Sequence, residues 1–388
     1  MSDESATMSH EKIEATDSPT AASPAAPTLF RPELARSRGD TVAGRAAGLS
    51  SGRSGQATMR DVALAAGASL KTVSRVVNME PGVRPEMQQR VEEAIVALGF
   101  RRNVVAHSLR TGHRIGSIGL IVADLMNPFY SSVAKAVETV AARHNAVIII
   151  GSSGENAARE RELVMNLLHR PVDGLIVVPA GSDHRYMEPE RRRGAQVVFL
   201  DRGGGNIEAD AVVLDNFGGA KEAVEHLILR GHKRVGFIGD STTVQTAVER
   251  LEGYKAALAE ADIPYDPELV RLGSPAVDMA ETAAGKLLAL DDRATAIFAA
   301  NNRQCVGVLR AIRASQRLTA LVGFDDFELA DLLPIPVSVI AYDPAELGRS
   351  SAELLFARMG GDTRPPQRIV IPTRLIQRGS GEMMAQVP

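Results

Sequence analysis

The sequence predicts a small all-α helix-turn-helix module followed by a larger α/β core of two lobes, each built on a parallel sheet with crossover helices. Three observations predict it. Residues 58–99 carry helical periodicity with capping residues and a tight glycine turn. From residue 115 onward, short and nearly continuous apolar runs alternate with amphipathic stretches. The charge divides along the same line: residues 57–114 carry net +4 within a chain of net −3, residues 1–56 carry −1, and the remainder carries −6. A basic module on an acidic body suits a nucleic-acid binder joined to a separate sensor.

Residues 1–56 are rich in Ser, Ala, Pro, Gly and Arg without a sustained apolar period, and read as a disordered extension. Order is expected from "TMRDVALAAG". Thr58 is placed to cap a helix with Asp61 three residues on, Val62, Ala65 and Ala66 form its apolar face, and Gly67 breaks it. Ser69 caps the next helix, "LKTVSRVVN". That helix places Leu70, Lys71, Ser74, Arg75 and Asn78 on one side, and Val73, Val76 and Val77 on the other. Two short helices across a tight turn make a helix-turn-helix. A third helix follows, with Pro85 in its first turn, Val91, Ala94, Ile95 and Leu98 at helical spacing, and Gly99 as its stop. The module is thus assigned to 57–102.

Next, "NVVAHSLRTG" (103–112) has a capping Asn103 and a terminating Gly112, but about eight residues are too few for a stable isolated helix. Residues 103–114 read as a hinge and linker. Across 115–380, "IGSIGLIVAD", "NAVIIIGSS", "VDGLIVVPA", "AQVVFLD", "RVGFIGD", "ATAIFAAN" and "LTALVGFDD" read as strands buried on both faces. Ligands of open α/β sheets sit beyond the carboxyl ends of the strands. Five of these runs end in Asp124, Asp201, Asp240, Asn301 and Asp325, which implies a shared polar cleft. Residues 381–388 read as a tail.

Several functions are excluded. There is no GxSxG, Walker loop, metal-ligand spacing or nucleophile paired with a base, so no enzyme, metal or cofactor is expected. The single cysteine, Cys305, lies in a helical stretch and reads as a packing thiol, and no internal disulfide can form. No apolar run approaches membrane-spanning length and the N-terminus is not a signal peptide, so a cytoplasmic protein with no membrane partner is expected.

The stretches "MRDVALAAGASLKTVSRVVN", "RRNVVAHSLRTGHRIGSIGLIVADLMNPFYSSV", "RGHKRVGFIGD", "RLEGYKAAL" and "VGFDDFELADLLPIPVSVI" resemble the lactose/galactose repressor (LacI/GalR) family over roughly residues 58–380. The resemblance implies a core like the periplasmic binding proteins, a homodimer, and a repressor of pseudo-palindromic double-stranded operator DNA controlled by a carbohydrate-like effector bound between the lobes. It places Leu70, Lys71 and Arg75 on base edges in the major groove, Thr58, Thr72, Ser74 and Asn78 near phosphates, and Ser69 among the DNA-binding residues. In the hinge, Asn103, His107 and Leu109 meet the minor groove, with Leu109 wedging into a base step. Effector contacts fall on Asp124, Asn127, Phe129, Asp201, Arg202, Arg250, Asn301 and Asp325, with Arg250 and Asp325 expected on opposite sides of the cleft.

The chain departs from the family pattern at Arg102, where proline is common, and at His107, where arginine or glutamine is common. It departs again at Asn302, where aspartate is common, and at Pro275, where many relatives place an aromatic. No leucine heptads follow "RLIQRGSGE", so a dimer rather than a tetramer is expected. A sugar-binding sensor or transport protein would share only the two-lobed half, without residues 58–112.

Overall fold

In the computed structural model, residues 57–100, 116–170 and 172–385 are described. They divide between two compact units, one ending at Arg102 and one starting at Asn103. The hinge residues Asn103, His107 and Leu109 lie outside the described residues.

The first unit contains α1 (Met59–Ala66), α2 (Leu70–Val77) and α3 (Pro85–Leu98). Each boundary has a local cause. Thr58 Oγ1 accepts from the Asp61 amide at 3.3 Å while Asp61 Oδ2 accepts from the Thr58 amide at 2.8 Å, a reciprocal cap that satisfies two orphan donors. Gly67 ends α1 in the left-handed region at φ 62°, where a side chain would be strained. Ser69 Oγ accepts from the Thr72 amide at 3.1 Å and starts α2. Pro85 sits at the first position of α3, and Gly99 closes it in a left-handed turn. Val62, Ala65, Ala66, Val73, Val91 and Ala94 are fully buried where the three helices meet.

The second unit holds two six-stranded sheets. The first lobe runs β1 (Ser117–Val122), α4 (Pro128–Arg143), β2 (Val147–Ser152), α5 (Ala157–Leu168), β3 (Gly174–Val177), the short α6 (Glu188–Arg192), β4 (Gln196–Asp201) and β5 (Asp210–Leu214). The chain then builds the second lobe from α7 (Asn216–Ile228), β6 (Val235–Asp240), α8 (Gln245–Glu260), β7 (Val270–Gly273), α9 (Val277–Leu288), β8 (Ala296–Ala299), α10 (Asn302–Ser315), β9 (Ala320–Phe324) and β10 (Ser338–Ala341). It returns to the first lobe for α11 (Pro344–Met359) and β11 (Arg368–Ile371), and crosses once more to β12 (Arg374–Ile376).

The strand orders are β11-β5-β4-β3-β1-β2 and β12-β10-β9-β8-β6-β7, so the lobes repeat one topology. Within the sheets all pairings are parallel except β10 with β12. Helices cover both sheet faces, which is why the central strands read as unbroken apolar runs. In "RLEGYKAAL", Gly253 lets α8 approach α7, since a Cβ there would collide with the Phe217 carbonyl.

Two sequence expectations are corrected here. The run "NAVIIIGSS" is not buried on both faces: β2 is an edge strand, and Val147, Ile149 and Ile150 are exposed. Residues 380–385, mostly read as a tail, pack on the second lobe. Glu382 accepts from Ser338 Oγ at 2.7 Å and lies 2.7 Å from His226 Nε2, and the Ala385 amide donates to the Arg230 carbonyl. No described helix is long and apolar enough to cross a membrane.

Candidate functional site

On α2 the capping and packing requirements leave one face outward. Val73 is buried and Val76 and Val77 half-buried against α1 and α3, while Leu70, Lys71 and Arg75 are exposed. Leu70 is 46% exposed beside Lys71, so an apolar and a cationic group face solvent from adjacent positions. Ser69 and Thr72 hold each other, Oγ to Oγ1, at 2.9 Å. Arg75 and Asn78 both turn to Glu80, at 3.9 Å and 3.1 Å, a residue the sequence did not single out. Exposed pairs of this kind contribute little to stability.

All eight cleft residues expected from the sequence line one cavity of about 330 Å³. It lies beyond the carboxyl ends of both sheets, and the repeated topology explains its symmetry. Asp201 ends β4 and Asp325 follows β9, the equivalent strand, and both stand at φ 68°. Asp and Asn tolerate this left-handed conformation better than most side chains. Asp124 and Asp240 are likewise equivalent, after β1 and at the end of β6.

The cleft arginines are already engaged. Arg202 donates to both Glu155 oxygens at 2.6 Å and to the Pro179 carbonyl at 2.8 Å, with Asp201 3.5 Å from its Nε. Arg250 donates to Asn216 Oδ1 at 2.9 Å and to the Ala300 carbonyl, and its guanidinium lies 3.7 Å above the Phe324 ring. Its Nη2 is 3.7 Å from Asp325 Oδ1, which accepts from the Tyr342 hydroxyl at 2.7 Å. The expectation that Arg250 and Asp325 face each other across the cleft is therefore wrong. Both belong to the second lobe, and Arg250 comes from the second turn of α8 rather than from a strand end. The charged groups that line the cavity from the first lobe are Asp124, Glu155, Asp201 and Arg202.

Asn301 caps α10 through its Oδ1, which accepts from the Gln304 amide at 2.8 Å, and gives its Nδ2 to Asp240 at 2.9 Å. Asn127 caps α4 by accepting from the Phe129 amide at 3.1 Å and also accepts from Asn302 Nδ2 at 3.0 Å. Phe129 packs edge-on against Tyr130 and Tyr342.

Burial raises Asp201 to about 6, although Arg202 and Arg250 oppose the shift. Asp240 also rises to about 6 through burial, opposed by Arg250 and the Asn301 hydrogen bond. Burial lifts the Tyr130 and Tyr342 hydroxyls well above their usual range, so both stay neutral donors. Burial pushes the Cys305 thiol up to about 12, which suits its place in the second-lobe core. Among the described residues no group of His, Cys, Asp and Glu is arranged to hold a metal.

Tyr130, Glu155, Asp240, Arg303 and Tyr342 also line the cavity and were not among the expected contacts. Asp240 carried the strand-end signal that found its equivalents. Tyr342 follows β10, a strand too short to be read from periodicity. Glu155 and Arg303 lie in polar stretches that carry no signal in one sequence.

Comparison with known proteins agrees with this architecture. Residues 58–103 match the family described as bacterial regulatory proteins, lacI family, and residues 224–381 match a periplasmic binding protein-like domain. Catabolite control protein A of Priestia megaterium is 30% identical over 331 residues, covering 83% of this chain and 98% of that protein. The transcriptional regulator CelR of Thermobifida fusca is 31% identical over 335 residues, covering 84% and 98%. Among solved structures, a CelR–cellobiose complex aligns with a TM-score of 0.62 at 29% identity, covering 84% of this chain and 99% of that one. A lac repressor dimer bound to operator and anti-inducer aligns with a TM-score of 0.72 at 25% identity, with the same coverage. The chain belongs to the lacI family of bacterial regulatory proteins, transcriptional regulators that bind DNA.

Proposed function

We propose that the chain is a cytoplasmic, homodimeric repressor of a pseudo-palindromic operator, released or engaged by a sugar or sugar derivative bound in the cleft. The observation that carries the effector half is the gathering of eight sequence-selected residues, from strand ends and two helices, into one cavity. Carboxylates, amides and guanidiniums in one cavity suit a ligand whose hydroxyls both donate and accept. The CelR relative's structure holds cellobiose, a ligand of that chemistry.

For DNA, Lys71 and Arg75 donate to guanine edges and Leu70 packs on a thymine methyl. Thr58, Ser69, Thr72, Ser74 and Asn78 position the module on phosphates. Asn103, His107 and Leu109 form the hinge that enters the minor groove, with Leu109 unstacking a base step. The exposed apolar edge of β2 (Val147 is 64% exposed) supports self-association, because such an edge in isolation invites pairing.

The test combines footprinting of genomic fragments, including the DNA upstream of the chain's own gene, with thermal-shift screening of sugars, sugar phosphates and sugar acids. A protected two-fold site whose occupancy responds to a stabilising sugar is the expected result. Absence of sequence-selective protection would sink the repressor reading.

A further inference from the structure

Asn302, at the start of α10, bonds across to the first lobe. The Asn127 Oδ1 that caps α4 is held by the Phe129 amide, so the Asn127 side chain cannot turn over without breaking its cap. Any residue at 302 that bonds this oxygen must donate. Asn302 does so through Nδ2 at 3.0 Å, and an aspartate carboxylate could not. The next residue, Arg303, reaches the same segment of the first lobe, with Nη1 2.5 Å from Asp124 Oδ2. Asp124 is fixed in turn by the Met126 amide, 2.9 Å from its other oxygen.

Two consecutive residues at the start of α10 thus clasp the two ends of the segment joining β1 to α4. Exposure places this clasp at the mouth of the cleft. The Arg303 and Asp124 side chains are 33% and 37% exposed, whereas those of Arg250 and Arg202 on the floor are 7% exposed. A third link, from the Gly203 amide to Gln245 Oε1 at 3.0 Å, joins the lobes beside the neighbouring cavity.

We propose that Asn302 and Arg303 are specificity-determining residues. Their bonds to Asn127 and Asp124 form a latch across the mouth of the cleft, so an effector must fit wholly beneath it, as a single sugar ring does and an extended saccharide does not. The size selection rests on the reading of this cavity as the effector site; the latch itself does not. A rim ion pair contributes modestly alone, but two neighbouring bonds from one rigid helix end act together on one equilibrium between open and closed lobes.

The experiment measures the distance between spin labels at Glu162→Cys and Lys286→Cys, exposed positions on α5 and α9, in effector-free protein diluted with unlabelled chains. The buried Cys305 stays unlabelled. Wild type, Asn302→Asp and Arg303→Gln are compared, then titrated with D-ribose, D-glucose, D-galactose and cellobiose. The expected result is a shift to longer distances in both variants, with cellobiose gaining about tenfold or more in affinity for Arg303→Gln. Unchanged distances overturn the latch. Longer distances with cellobiose still excluded overturn the size selection. If no saccharide binds any of the proteins, the sugar reading of the cleft fails, while the distances still decide the latch.

Discussion

The outward face of α2 and the cleft between the lobes are both rich in polar side chains, yet they hold them in opposite ways. On α2, Lys71 makes no ion pair with a described residue, and Arg75 has only an exposed carboxylate 3.9 Å away. In the cleft, Arg202 and Arg250 are bound to carboxylates, amides and carbonyls before any ligand arrives. On the proposed reading, the α2 face adds contacts to groups already solvated, so its residues can be changed without disturbing the fold. A buried cleft exchanges contacts, so its residues carry stability and recognition together.

The largest effect expected from this contrast is on Arg250. Arg250→Ala leaves Asp325 without its cation and Asn216 and the Ala300 carbonyl without a donor, at a cost of about 3–5 kcal/mol. Urea unfolding should show that loss together with a lost effector response. A stable variant that merely fails to bind effector would mean that Arg250 resembles the α2 residues instead. Next is the hinge: Leu109→Ala should remove a few kcal/mol of operator affinity and most of the bend, leaving effector affinity intact. A circular-permutation assay that finds the bend unchanged would remove the wedge.

Lys71→Ala and Arg75→Ala should each cost about 1–3 kcal/mol on the operator and relax base preference. Their unfolding free energies should move by less than about 0.5 kcal/mol, as for surface substitutions. Equal losses on operator and random DNA would reassign them to phosphate contacts.

A smaller effect distinguishes the cleft by pH. Asp201 and Asp240 are raised to about 6 in the folded chain, so the native state binds protons the unfolded state does not between the ordinary aspartate range and that value. Their contribution therefore favours the fold at low pH and is lost as pH rises through about 6. Asp201→Asn and Asp240→Asn should flatten this slope in melting curves, and variants with the wild-type slope would contradict the assignment. The smallest change expected is from deleting residues 1–56, whose sequence has no core-forming pattern. Dimer content and operator affinity should stay within error, and loss of soluble dimer would give that segment a structural role.

The helix-turn-helix was legible because its signals are local: Thr58, Gly67, Ser69, Pro85 and Gly99 each act within a turn of the backbone they shape. The seven apolar runs marked β1, β2, β3, β4, β6, β8 and β9, but β5, β7, β10, β11 and β12 went unread. β7 is a four-residue edge strand with Arg271 and Gly273 in it, and β11 is four residues long within a proline-rich stretch, so neither offers a usable period. In the cleft, the strand-end acids followed from topology alone. The residues that hold them in place, such as Glu155 on Arg202 and Tyr342 on Asp325, meet only through tertiary contact.

The three crossings between the lobes bear on how the chain is made. α11 packs on α4 and β4, and β11 hydrogen-bonds the edge of β5, so the first lobe lacks a helix and a strand until residue 371 has been synthesised. By then the whole of β6 to β10 has been synthesised. The three-helix module has no such dependence, since its core closes within residues 58–100. A polypeptide cut short near residue 340 would carry a complete DNA-reading module on two lobes that can neither finish folding nor bury α4. Chain growth thus completes the DNA-reading module first and its control last.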